Sequence, residues 1–143
     1  MNTKQIAPCA VILAGGMGKR LRPLTETTPK PLLPVLGKPL LYHILQRLEL
    51  MGVETAYLMT GYLSDRMESA VAAYEGKLKP ICIKEETPMG SAGCLSLVEQ
   101  AGQWQSCIVV SADDLQVAQI AQINAIVYEQ TGILPSAVTI IHK

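Results

Sequence analysis

PCAVILAGGMGKRL, residues Pro8 to Leu21, joins a continuous apolar run directly to a glycine-rich, basic turn. The run Pro8–Ala14 shows no polar alternation, which is the pattern of a strand covered on both faces and hence of a parallel sheet. Gly15, Gly16 and Gly18 follow. Without side chains there, the backbone reaches positive φ values and can approach a ligand closely. Successive amide N–H groups in such a turn form a concave anion site. Lys19, Arg20 and Arg22 add charge, and an arginine grips phosphate oxygens with paired hydrogen bonds. A triphosphate cradle at the end of a buried strand is the expectation.

Outward from this stretch, strand and helix patterns alternate. Leu40–Met51 (LLYHILQRLELM) has helical periodicity, with Gly52 as its stop. Val53–Thr60 reads as a second strand, and Ser64 as the cap of a helix running to about Tyr74. Leu78–Lys84 is a third strand, followed by a turn at Pro88-Met89-Gly90 and a helix over Ser91–Gln100. Ser106–Ser111 is a fourth strand, Ala118–Gln130 a further helix and Ala137–Ile141 a last strand. Alternation at this spacing predicts βαβ units and a mostly parallel, Rossmann-like α/β sheet flanked by helices. Residues 1–143 are expected to form one such unit, since no repeat, low-complexity tract or linker interrupts them. Ligands bind at the carboxyl ends of strands in such sheets. The loops after the first, third and fourth strands, carrying Gly15–Leu36, Glu85–Gly93 and Asp113-Asp114, should therefore open onto one edge.

Composition narrows the function classes. The chain has 143 residues, enough to bury a core, and its 49% hydrophobic and 17% charged content opposes disorder. A formal net charge of zero argues against a general nucleic-acid or membrane-surface binder. Positive charge is instead local: Lys19, Arg20, Arg22, Lys30 and Lys38 face only Glu26. The apolar run near the N-terminus is too short to span a bilayer and has no small-residue cleavage site, so it reads as a strand. Cys9, Cys82, Cys94 and Cys107 are widely spaced in apolar segments, without a zinc-ligand pattern. They are expected to be reduced, buried thiols of a cytoplasmic protein.

Two familiar phosphate motifs fail on inspection. A Walker loop ending at Gly18-Lys19 requires glycine at position 13 and Ser or Thr at 20, where the chain has Leu13 and Arg20. A dinucleotide fingerprint beginning at Gly16 requires a third glycine where Leu21 stands, which disfavours a nicotinamide-dependent oxidoreductase. After the basic turn come Pro23-Leu24-Thr25, Pro29-Lys30-Pro31-Leu32-Leu33-Pro34-Val35 and Gly37-Lys38-Pro39-Leu40. The prolines stiffen this connection and should hold Lys30 at a defined place near the cradle.

The whole run LAGGMGKRLRPLT…PKPLLPVLGKPLL closely resembles the signature of the sugar-1-phosphate nucleotidyltransferases. The likeness continues through Gly61-Tyr62-Leu63-Ser64-Asp65, through Glu85–Gly93 (EETPMGSAG) and through Ile108–Asp113 (IVVSAD), where the family has a strand ending in Asn-Gly-Asp. It implies a GT-A-like nucleotidyltransferase domain, of which this chain matches the first half. It implies that Ala14, Gly15 and Gly16 approach the nucleoside, and that Gly18, Lys19 and Arg20 hold the β- and γ-phosphates. Lys30 would neutralise charge around the reacting α-phosphorus, Glu85 and Gly90 would meet the base edge, and Asp113 would bind Mg²⁺. Arg20 and Lys30 are thus the implied catalytic residues. The implied reaction is attack of a sugar-1-phosphate oxygen on the α-phosphorus of an NTP, releasing pyrophosphate. Such chemistry needs positioning and charge neutralisation more than a protein nucleophile.

Three departures from the family pattern stand out. Lys19 replaces its commonest threonine, and Ser111-Ala112 replaces Asn-Gly, with Asp114 as an alternative metal ligand beside Asp113. The family's second half, which supplies the sugar pocket, a further lysine and a second metal aspartate, has no counterpart here. A non-catalytic nucleotide-binding or regulatory module is therefore the alternative to an active transferase fragment or subunit. Neither His43 nor His142 suggests a catalyst. Apolar surface left around Ala137–Ile141 would favour a homo-oligomer. The GSAG segment leans toward the mannose-1-phosphate guanylyltransferase subgroup.

Overall fold

The computed structural model describes residues 9–93, 96–98, 107–113 and 137–139. The central element is β1 (Cys9–Leu13), in the middle of a five-stranded sheet. Its companions are β4 (Thr55–Thr60), β5 (Lys79–Lys84), β6 (Cys107–Ser111) and β7 (Ala137–Thr139), in the order β5-β4-β1-β6-β7. Every pairing in this sheet is parallel. The α/β architecture expected from the alternation is thus the one observed.

The unbroken apolar character of β1 has a direct cause in this arrangement. Ala10, Ile12 and Ala14 belong to the core on one face of the sheet, with Leu58, Val110 and helix α1 (Leu40–Leu50). Cys9 and Val11 belong to the core on the other, with Tyr57, Met59, Val98 and Val109. Residues alternate between faces along a strand, so a strand buried on both must be apolar throughout.

Leu41, Ile44, Leu45 and Leu48 are the fully buried side chains of α1, at the spacing that puts one face of a helix onto the sheet. Burying each contributes roughly 1.5–3 kcal/mol. Gly52 adopts φ +84° and donates to the Glu49 carbonyl at 3.0 Å, ending the helix as its sequence predicts.

Helix α2 (Ser64–Ala72) differs from the expectation at its start. Ser64 is not the cap but a buried residue within the helix. The preceding position is Leu63 in a left-handed conformation, and no side chain caps the helix. The first turn is instead closed through backbone, with Arg66 N–H donating to the Leu63 carbonyl at 3.0 Å. The short helix α3 (Gly90–Gly93) begins at the turn after β5, and residues 96–98 are also helical.

Between β1 and α1 the proline-rich segment carries two 3₁₀ turns, Lys19–Leu21 and Lys30–Leu32. A two-residue antiparallel pair then joins β2 (Pro34–Val35) to β3 (Lys38–Pro39). The expected helix Ala118–Gln130, together with Asp114, Cys94 and His142, lies outside the described residues.

Candidate functional site

Parallel strands deliver their carboxyl ends to one edge, and the register sets the site at that edge. Leu13 pairs with Met59 of β4 and with Ser111 of β6. The next amide, Ala14 N–H, donates to the Met59 carbonyl at 3.0 Å, while Ala112 N–H donates to the Leu13 carbonyl at 3.1 Å. The glycine loop therefore leaves the sheet between the ends of β4 and β6. A cleft of about 700 Å³ opens there, lined by most of the loop from Leu13 to Leu21, by Lys30 and by Ser111–Asp113.

Of the residues picked from sequence, Ala14, Gly16, Gly18, Lys19, Arg20, Lys30 and Asp113 all line this cleft. Gly15, Glu85 and Gly90 do not line it. Glu85 sits just past β5, where its N–H donates to the Thr60 carbonyl at the end of β4 at 2.8 Å. A Cβ placed on Gly15 would lie 3.7 Å from the Glu85 carboxylate. Gly90 takes φ +72°, with nothing near its Cβ position. Lys38 leaves the basic cluster altogether, because its ammonium bonds the Gln46 side chain at 2.6 Å on α1. His43 is a helix-face residue whose ring bonds the Val35 carbonyl at 2.7 Å.

The two charged residues expected to serve phosphate and metal meet directly. Lys30 Nζ donates to Asp113 Oδ2 at 2.5 Å, across 83 positions of sequence. The Ser111 hydroxyl donates to the other oxygen, Asp113 Oδ1. Lys30 first, and Ser111 second, hold the Asp113 carboxyl below its usual value, so it is a carboxylate at neutral pH. Ser111 was noted in the sequence only as a departure from asparagine; in the fold it is a hydrogen-bond partner of the acidic residue.

Two further residues had no individual role in the sequence reading. Gly18 has φ +60°, and a Cβ there would meet the Thr25 methyl at 2.9 Å. Thr25 is fully buried, and its hydroxyl donates to the Gly18 carbonyl at 2.7 Å. Tyr62, from the loop after β4, donates its hydroxyl to the carbonyls of Thr25 and Glu26 at 2.9 and 3.1 Å. Both residues fall in the recognisable motifs, but their mutual contact passes through backbone and left no chemical signature to read.

A glycine loop at the strand edge, with a lysine and a carboxylate converging on it, is matched by known proteins along nearly the whole chain. The family model for Nucleotidyl transferase matches residues 9–140. The chain belongs to that family. Mannose-1-phosphate guanylyltransferase of Mycobacterium tuberculosis is 37% identical over 126 residues, covering 86% of this chain and 34% of that protein. Mannose-1-phosphate guanylyltransferase catalytic subunit beta of Danio rerio is 42% identical over 93 residues, covering 64% and 26%. The chain thus spans about a third or less of the length of these curated relatives. In structure it is similar to HddC from Yersinia pseudotuberculosis complexed with GMP-PN. The TM-score is 0.66 at 28% identity, covering 80% of this chain and 53% of that one. Among the described residues no helix is long and apolar enough to cross a membrane.

Proposed function

We propose that the cleft binds a nucleoside triphosphate with Mg²⁺ for transfer of its nucleoside monophosphate to a sugar-1-phosphate. The observation that carries this reading is the convergence of Gly16, Gly18, Lys19, Arg20, Lys30 and Asp113 on one cleft at the carboxyl edge of a parallel sheet. Five of these supply backbone amides or fixed positive charge, the chemistry that recognises a polyphosphate. In this reading Ala14, Gly15 and Gly16 approach the nucleoside, while Glu85 and Gly90 address the base edge.

Gly18, Lys19 and Arg20 hold the β- and γ-phosphates, which become the leaving pyrophosphate. Lys30 neutralises the α-phosphate, where negative charge rises as the acceptor oxygen attacks in line. One P–O bond forms from the sugar phosphate to the α-phosphorus, and the bond to the β-phosphate oxygen breaks. Asp113 fits a magnesium ion held jointly with substrate phosphates, since such ions need only one or two protein carboxylates. Its Oδ2 already faces a cation, the Lys30 ammonium. Bound there, Mg²⁺ would supply charge neutralisation between the phosphates. The names of the relatives, and the GMP-PN bound to HddC, make GTP and mannose-1-phosphate the first pair to test. In this reading the protein works in the cytoplasm, where free nucleotides and sugar phosphates are found, and as a homo-oligomer.

Turnover of radiolabelled GTP against a panel of sugar-1-phosphates tests the transfer. Labelled nucleotide sugar and pyrophosphate are expected, and no product from any pair defeats catalysis by this chain. The second reading, nucleotide binding without turnover, is favoured by one observation: Ser111-Ala112 stands before Asp113 where the family pattern has Asn-Gly. Binding with no product would select it.

A further inference from the structure

Thr25 touches the glycine loop from behind, and Tyr62 holds Thr25 in turn. Neither lines the cleft, yet Thr25 is bonded to the carbonyl of Gly18, which does, and Tyr62 is bonded to the carbonyl of Thr25. The Gly18 carbonyl accepts two hydrogen bonds, from the Thr25 hydroxyl at 2.7 Å and from Leu21 N–H at 2.9 Å. The Thr25 and Glu26 carbonyls in turn accept the single hydroxyl of Tyr62. A chain of contacts thus runs from the loop after β4, through a fully buried threonine, to the left-handed residue of the anion loop.

The geometry of a peptide unit gives this chain a consequence. In a trans peptide the carbonyl of one residue and the N–H of the next point to opposite sides. Pinning the Gly18 carbonyl against Thr25 therefore turns the Lys19 N–H away from Thr25. Gly18 and Lys19 line the cleft and Thr25 does not, so that opposite side is the cleft side. A flip of this one peptide would present a carbonyl oxygen to an anion where an N–H should be. Glycine at φ +60° has no side chain of its own to resist such a flip. The resistance comes from the Leu21 N–H and from the Thr25 hydroxyl, the one side chain bonded to this carbonyl among the described residues. The carbonyl of Thr25 is itself held by Tyr62.

We infer that Thr25 and Tyr62 are positioning residues that set the Gly18–Lys19 peptide with its N–H toward the phosphates. The inference rests on the nucleotide-binding reading above and adds the residues that determine its phosphate affinity. It requires that their loss be felt in proportion to the phosphates bound. A general loosening of the fold would instead weaken every nucleotide alike.

Calorimetry with GTP and GMP, each with Mg²⁺, on the full chain and on Thr25→Val, Thr25→Ser and Tyr62→Phe tests this. Thr25→Val should weaken GTP about tenfold, the change expected from one lost hydrogen bond of roughly 1.4 kcal/mol, while GMP changes less than about twofold. Thr25→Ser keeps the hydroxyl and should restore GTP to within about threefold of wild type. Tyr62→Phe, which removes one oxygen atom, should shift GTP in the same direction as Thr25→Val, and it decides the matter if the valine variant does not fold. Unchanged GTP affinity in Tyr62→Phe and Thr25→Val, or equal losses for GTP and GMP, overturns the inference while leaving the functional reading intact. If the wild-type chain binds another triphosphate in place of GTP, that triphosphate and its monophosphate are the pair compared, and a chain that binds no nucleoside triphosphate overturns both.

Discussion

Lys30 and Asp113 stand at 2.5 Å although 83 positions separate them, one on the 3₁₀ turn after the glycine loop and the other just past β6. Their side chains are 33% and 44% exposed, so the pair lies in a wet cleft and not in the core. At such exposure an ion pair contributes no more than about 1 kcal/mol to folding. In the proposed function its value lies in what the two charges would bind.

Lys30→Met should accordingly leave thermal stability within about 1 kcal/mol of wild type. NTP affinity should fall about 10- to 100-fold, as expected for losing a charged hydrogen-bond donor to phosphate. Asp113→Asn should separate differently: nucleotide binding persists without Mg²⁺, and the added affinity that Mg²⁺ confers disappears. Paired thermal melts and titrations with and without Mg²⁺ check both variants. A Lys30→Met protein that binds NTP as wild type does would remove Lys30 from the site.

Two glycines of the same loop should respond oppositely to alanine. At Gly18 the φ of +60° and the 2.9 Å approach to the buried Thr25 methyl leave no room for a Cβ. Gly18→Ala should cost about 2–4 kcal/mol by combining left-handed backbone strain with overpacking. Nothing lies within 4 Å of a Cβ on Gly16, so Gly16→Ala should stay within about 0.5 kcal/mol. Urea unfolding of the two variants measures the contrast.

Much of this was readable beforehand, for physical reasons that differ by element. The strand at Cys9–Leu13 was legible because burial on both faces forces an apolar run, and α1 because its four buried leucine and isoleucine positions recur at helical spacing. The convergence of loops at one edge followed from parallel pairing alone. The strand order was not legible, since an apolar strand carries no mark of its neighbours. The β2–β3 pair was hidden by Pro34 and Pro39, which lack the N–H that a strand normally donates and yet pair with each other here. Ser64 looked like a cap, but Leu63 takes the left-handed position before α2 and the helix starts from backbone contacts. Lys30 and Asp113 stand out in the sequence for opposite charges, and only the fold shows them meeting. The Tyr62–Thr25 contact was invisible because any residue has a carbonyl to offer.

Glu49 gives the fold a predictable response to acid. Its carboxylate accepts the Lys77 N–H at 2.9 Å, with the Leu78 N–H and the Tyr74 hydroxyl at 3.2 Å each. The Leu78 N–H is the largest influence holding it below the usual 4.5, with the Tyr74 and Lys77 contacts acting the same way against desolvation. A carboxyl whose folded value is depressed contributes stability that is fully present above its unfolded value. That contribution is lost as pH falls through the folded value. The stability gap between wild type and Glu49→Gln should therefore be constant near neutrality and narrow below about pH 4.5. Melting curves from neutral to acid pH check this, and a gap that widens in acid would contradict it. Tyr74, pushed up to about 12 by burial first and by Glu49 second, remains the neutral donor throughout.

Cys82 on β5 should be a slow thiol. Desolvation, with Glu68 adding its negative charge, pushes it up to about 11 from 9.0. At pH near 8 its thiolate fraction, and hence its alkylation by iodoacetamide, should be on the order of 100-fold below that of the denatured chain. Peptide mapping after timed alkylation reads this position separately from the other cysteines. Equal rates in the folded and denatured chains would show that β5 does not shield it.

In the proposed function the glycine loop, Lys30 and Asp113 form one nucleoside triphosphate site. Isothermal titration of the full chain with GTP, ATP, UTP, CTP and dTTP in the presence of Mg²⁺ tests it most directly. The site described here predicts saturable, one-to-one binding of at least one of them, weakened by Lys30→Met. No measurable binding of any of the five would contradict it.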